Sequence, residues 1–222
     1  MNIFTKTIAA AGLAGAAIVA MPAAAQVSGS VGIVNAPATV AASSALRTAY
    51  QQINTTYQAQ ITQIQQKQQQ AQTLLQQLDT NSDGNLDQAE QQAAQNAPQA
   101  QQIATLEREI GQLSNQVEAA RVYAVEQILQ QYNTSLQTVA QQTNVQMILS
   151  PDAVLWTAPT ANLNQQMIAA LDARVPSVQI TPPQGWQPSQ QAVGVYQQVQ
   201  QIYVAASARQ QAAQQQPAAT GR

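Results

Sequence analysis

The chain has 222 residues, no cysteine, no histidine, and 8 basic against 10 acidic residues, for a formal charge of −2. The missing residue types exclude disulfides and remove the commonest general base and transition-metal ligand, so no Ser-His or Cys-His catalytic pair can exist. A mildly acidic balance also argues against a general nucleic-acid binder, which needs a basic footprint.

The N-terminus reads as a secretory signal. Lys6 supplies a short positive region, Ile8 to Ala20 is an apolar run, and Met21-Pro-Ala-Ala-Ala25 carries a breaker and an A-x-A cleavage pattern. Cleavage is expected before Gln26, making residues 1–25 a signal peptide. Loss of Lys6 leaves 7 basic residues against 10 acidic, a formal charge of −3. No later stretch is apolar for long enough to span a bilayer, so no transmembrane segment is expected in the mature chain.

Val31-Gly-Ile-Val-Asn35 reads as a short buried strand, and Asn35-Ala-Pro37 leads from it into helix. Larger residues then recur at heptad spacing. One set is Leu46, Ile53, Gln60, Lys67 and Leu74; the other is Tyr50, Tyr57, Ile64, Ala71 and Leu78. A helix from about Ala42 to Leu78 would be roughly 55 Å long. After an acidic stretch and the Ala97-Pro98 break, Ile103, Leu106, Ile110, Leu113 and Val117 continue the pattern. The stripe then changes phase to Val122, Val125, Leu129, Tyr132, Leu136 and Val139, as expected where a helix passes from a two-helix hairpin into a globular body. Glu118 and Arg121 are spaced to pair along this helix. The whole predicts an arm over about residues 42–140.

Two β-prone runs follow, 145–150 and 153–157, joined by a Pro151-Asp152 turn signal. Thr160 is placed to cap a short helix carrying Leu163, Met167, Ile168 and Leu171. From residue 178 the composition turns Pro- and Gln-rich. Thr181 to Pro188 reads as an extended linker, Val193 to Ala208 as a further helix, and Gln210 to Arg222 as a disordered tail. The predicted fold is mainly α with a small β-body (α+β): a long helical hairpin projecting from a short-stranded sheet.

The acidic stretch carries the one chemical motif. From Asp79, LDTNSDGNLDQAE matches the calcium-loop template D-x-[DN]-x-[DN]-G-x₅-E at every fixed position. Asp79, Asn81 and Asp83 would offer side-chain oxygens, Gly84 the sharp turn, and Asn85 its carbonyl. Asp87 would act directly or through water, and Glu90 would close the shell as a bidentate ligand. An all-oxygen donor set favours Ca²⁺ over a transition metal. A lone loop predicts modest affinity, about 10⁻⁴–10⁻³ M. The competing reading is a solvated acidic turn, because Asp, Asn, Ser and Gly are all turn formers.

The order of elements (export signal, VGIVN strand, helical hairpin, VQMILSPDAVLWTA, then LNQQMIAALDARV) resembles the Skp/OmpH family of periplasmic chaperones over residues 31–175. That resemblance implies a periplasmic homotrimer whose strands form a central β-body. Its three arms would enclose a cavity holding unfolded outer-membrane proteins, without ATP or catalysis. Residues 26–177 would be the chaperone domain, with the loop at 79–90 inside its arm. The family's basic arm tips are not matched here, and it offers no role for the extension over 178–222. That extension could cap the body or contact another envelope component. A rival reading is a calcium-dependent coiled-coil adaptor or structural protein of the cell envelope.

Overall fold

The computed structural model describes residues 30–215; the expected signal peptide and the last residues of the expected tail lie outside them. Strand β1 (Val31–Ile33) and helix α1 (Ala36–Ala42) open the fold. Asn35 caps α1, its Oδ1 accepting from the Ala38 N–H at 2.9 Å, and Pro37 sits where a missing N–H costs nothing. Helix α2 (Ser44–Thr56) follows after Ser43, whose Oγ accepts from the Leu46 N–H. Asp172 Oδ1 accepts the Ser44 N–H at 2.8 Å, satisfying another free donor at the start of α2.

The expected continuous helix to Leu78 is interrupted. At Tyr57 (φ −99°, ψ 18°) α2 gives way to α3 (Gln58–Leu78). The residues before the break, Asn54-Thr55-Thr56, are poor helix formers. The Thr55 hydroxyl also donates back to the Gln51 carbonyl at 3.1 Å, a bond that favours bending. Helix α4 (Gln88–Ala94) stands after the acidic loop, and α5 (Pro98–Gln130) returns along α3 with Pro98 at its first position. The pairs Asn54–Arg121, from α2, and Lys67–Glu109, from α3, run in opposite chain directions, so α2 and α3 lie antiparallel to α5.

Along the arm the heptad positions Ile64, Lys67, Ala71, Leu74 and Leu78 are half-buried and α3 has no fully buried residue. It lies against one neighbour, as a projecting arm does. Past Val117 the burial pattern of α5 widens to Ala120, Val122, Ala124, Val125 and Ile128, because here the helix enters the body. The expected Glu118–Arg121 pair does not form. Arg121 instead reaches Asn54 at 3.5 Å and lies 5.8 Å over the Tyr50 ring, drawn by the ring's negative face.

Helix α6 (Tyr132–Thr143) ends on Asn144 in the left-handed conformation (φ 53°), a residue that tolerates it. Strand β2 (Met147–Leu149) pairs with β1 in parallel, Val31 opposite Met147 and Ile33 opposite Leu149. The expected second strand at 153–157 is absent. Pro151 opens a 3₁₀ turn closed by Val154 N–H donating to the Pro151 carbonyl at 3.1 Å, and Leu155 and Trp156 then stand in solvent. No strand edge of the described residues reaches that segment, so its β-prone composition has nothing to pair with. A second 3₁₀ turn at Pro159–Ala161 displaces the next helix start from Thr160. Helix α7 runs Asn164–Arg174, and Asn162 Oδ1 accepts from the Asn164 N–H at 3.0 Å.

The extension does not form a separate unit. Helix α8 (Gln190–Gln215) continues through Gln210–Gln215, where disorder was expected, since Ala and Gln extend a helix already started by docking. Its Ala192, Tyr196 and Val199 join one core with Val40, Leu46, Val125, Ile128, Val139, Met167 and Leu171. Each fully buried large side chain there contributes about 1.5–3 kcal/mol.

Candidate functional site

Two features occupy the arm: the acidic loop and a groove between its helices. In the loop, successive side chains curl the backbone. Asp79 Oδ2 accepts from the Gly84 N–H at 2.8 Å and its Oδ1 from the Asp83 N–H at 3.2 Å. Asn81 Oδ1 also accepts from Asp83 N–H (2.9 Å), and Asp83 Oδ1 accepts from Asn85 N–H (2.8 Å). Gly84 takes φ +85°, the sharp turn anticipated for it, and Ser82 also lies in the left-handed region at φ 57°.

Glu90 is differently employed. Its Oε1 accepts from the Thr80 N–H (2.7 Å), the Thr80 hydroxyl (2.7 Å) and the Asn81 N–H (3.1 Å). Its Oε2 accepts from the Asp87 N–H at 3.1 Å, while Asp87 Oδ1 accepts from the Glu90 N–H at 2.9 Å. The pair is a capping box on α4 that also clamps the start of the loop. The Thr80 hydroxyl, then the Asp87 amide, hold the Glu90 carboxyl below the usual range, against a smaller opposing effect of burial.

For a hard dication the donor chemistry is right and the arrangement incomplete. Asp79, Asn81, Asp83 and Asn85 lie on one curl, but Glu90 is turned onto backbone amides. Among the described residues no three acidic groups converge as a metal cluster. Thr80, which holds Glu90, lies between two template positions, and no spacing rule could have singled it out.

The groove, of ≈ 960 Å³, opens between α3 and α5. Gln66, Gln70 and Gln102 line its sides, with Leu74, Pro98 and Leu106 as apolar contacts. Every lining residue is uncharged. The nearby Lys67 is paired with Glu109 at 2.6 Å, so the groove itself offers amides and methylenes, while the arm's charge sits in the acidic loop and on the exposed Glu107 and Arg108. Such a groove can touch many sequences weakly. On the body, Met147, Leu155 and Trp156 are exposed, and no described strand covers the outer edge of β2. No helix of the described residues is long and apolar enough to cross a membrane.

The family model described as outer membrane protein (OmpH-like) matches residues 30–171. Among solved structures, the chain is similar to a Caulobacter crescentus protein described as a candidate outer membrane chaperone (OmpH-like). The two share 24% identity over 70% of this chain and 91% of that one, with a TM-score of 0.38. No curated protein matches. With the family model covering well over half of its length, the chain belongs to the OmpH-like outer membrane protein family.

Proposed function

We propose that this protein is an ATP-independent periplasmic holdase that shields unfolded outer-membrane proteins. The observation that carries the reading is the arm itself, in a member of the OmpH-like family. Two antiparallel helices meet along a half-buried seam and present an uncharged, amide-rich groove. A client held by many weak contacts can be released without ATP, and an adaptable surface suits many different clients better than a single deep pocket does. The homotrimer is part of the proposal. A two-stranded sheet is marginal by itself, and the uncovered edge of β2 beside Met147, Leu155 and Trp156 is the surface a second copy would cover.

The loop at 79–90 enters as a Ca²⁺ site of the arm, with Asp79, Asn81, Asp83, Asn85, Asp87 and Glu90 as its candidate ligands. Calcium would supply the charge that lets these carboxylates lie close together. Glu90 would have to exchange its bonds to Thr80, Asn81 and Asp87 to take part. Exchange protection between Gln72 and Ala104 should then rise with added Ca²⁺ and fall with chelator.

The adaptor reading expects an extension free to seize a partner, whereas α8 spends Ala192, Tyr196 and Val199 on its own body. The deciding experiment is light scattering of a denatured outer-membrane barrel protein on dilution. Stoichiometric mature chain should suppress the aggregation. An unchanged trace would sink the holdase reading.

A further inference from the structure

The segment after α7 lies beyond the residues matched by the family model, and it is not idle. Ile180 packs against the cluster of Ile53, Val117 and Ala120, where the arm joins the body and next to the α2–α3 break at Tyr57. The Gln127 side-chain amide bonds Gln179 from both ends. Its Nε2 donates to the Gln179 carbonyl at 2.8 Å and its Oε1 accepts the Gln179 N–H at 2.9 Å.

Farther along, Glu126 takes the Trp186 indole N–H at 2.7 Å on one oxygen and the Ser189 N–H at 3.1 Å on the other. The Trp186 ring meets Tyr123 edge-on, 5.1 Å between centroids. Helix α8 then reaches α2 and α1. The Gln200 amide donates to the Tyr50 hydroxyl at 3.0 Å, the Tyr203 ring meets Tyr50 edge-on at 5.6 Å, and the Tyr203 hydroxyl donates to the Ala41 carbonyl at 2.8 Å.

One continuous segment therefore grips α5 at Tyr123, Glu126 and Gln127, α2 at Tyr50, and α1 at Ala41. These are the helices that emerge into the arm or support it at its root. From this lacing we infer that residues 178–203 act as a brace, fixing the angle at which the arm leaves the body. Beyond Tyr57 no residue of α3 is fully buried, so the direction of the arm depends on how firmly its root is held. A strap bonded to both α2 and α5 at that base limits how far the two helices can shift against each other where the arm begins. The inference does not rest on the holdase reading, because its measured quantity is a distance within one chain.

The test uses the absence of native cysteine, so that spin labels go only where they are placed. Labels at Gln65→Cys on the arm and Gln142→Cys on the body, both exposed positions, report arm angle by double electron–electron resonance. Labelled chain is diluted with unlabelled chain, so that the distance read is intramolecular whatever the oligomeric state. The distance distribution should be narrow in the full chain. It should broaden about twofold with Glu126→Ala or Ile180→Ser, and at least as much in a chain ending at Ser177. Circular dichroism identifies which variants remain folded. An unchanged distribution in the folded truncated chain overturns the brace. If truncation prevents folding, unchanged distributions in both substituted chains overturn it equally.

Discussion

Gly32→Ala is a severe test of how the small sheet is seated. Gly32 lies in the middle of β1, opposite Ile148 of β2. A Cβ at this position would overlap Leu163 Cδ1 and lie 3.1 Å from Leu163 Cγ, with Val145 Cγ1 at 3.6 Å. Leu163 has little room to retreat. Its side chain is 4% exposed, and its backbone N–H is tied to the Ile33 carbonyl at 2.9 Å. Overpacking of this kind costs about 1–3 kcal/mol. Replacing glycine also restricts the unfolded chain, which returns about 0.4–1 kcal/mol. A net loss of up to about 2.6 kcal/mol, centred on about 1.3, follows, lowering the melting temperature by about 3–5 °C at the centre and by no more than roughly 10 °C for a chain of this size. The measurement is thermal unfolding at fixed protein concentration, since any assembly would shift the midpoint. A double-mutant cycle with Leu163→Ala isolates the contact. That change alone should cost about 2–5 kcal/mol, yet in its background Gly32→Ala should become neutral or slightly stabilising. If Gly32→Ala costs the same in both backgrounds, the clash is not its cause and the packing argument fails.

Glu109→Gln breaks the Lys67 ion pair, but both side chains are partly exposed, so the urea midpoint should move by less than about 1 kcal/mol of stability. A larger shift would mean that the arm depends on charge. The Glu90 carboxyl titrates lower in the folded arm than in an unfolded chain. Its contribution is therefore present above the ordinary carboxylate range and lost as pH falls through the depressed value. Amide exchange at Thr80 and Asn81 should accelerate at acid pH before the body unfolds, and uniform loosening would contradict this. Burial raises Tyr50, with Tyr196 and Tyr203 adding to it, and burial likewise raises Tyr196 and Tyr203 themselves. Stability at the α8 contact should hold up to about pH 10 and fall as pH rises toward the elevated values, read by tyrosinate absorbance beside circular dichroism.

How far the fold could be read in advance depended on what each element needed. The arm seam was legible at Ile64, Ala71 and Leu74, since two helices in contact demand only a period near 3.5 and tolerate Gln between. The phase change at Val117 to Val122 was legible for the same reason: burial on more faces needs more apolar positions. The run 153–157 misled, because β-propensity describes a fit to a pleated neighbour, and Val154, Leu155 and Trp156 have none within the described chain. The docking of the extension was invisible for a different reason. Tyr196 and Val199 predicted a helix, but the bonds that place the segment run from Glu126 and Gln127, polar residues on no apolar stripe. Side-chain to backbone bonds between distant segments leave no periodic trace.

The loop shows how two signatures can share one pair of residues. The calcium template asks for an acidic residue at position 9 and Glu at position 12, and a helix start of the form D-x-x-E asks for the same spacing. Asp87 and Glu90 meet both, and here they serve the capping box. Glu90→Gln is accordingly a poor probe of calcium, because it weakens the bonds to Thr80 and Asn81 with or without the ion. Asp83 separates the two demands. An asparagine there keeps an oxygen to accept the Asn85 N–H, so the curl survives, while one negative charge is lost from the donor set. It also gives up the Asn81 side-chain bond to Asp83 Oδ2 at 3.1 Å, an exposed contact of little weight. In chelator, Asp83→Asn should exchange like the parent between Gln72 and Ala104, or slightly more slowly as repulsion eases. With Ca²⁺ at ten times the parent's Kd, the parent should gain about 1.4 kcal/mol of protection and the variant clearly less. A parent that gains nothing would make the acidic residues part of a turn and cap alone. An equal gain in both chains would place any bound calcium outside this loop.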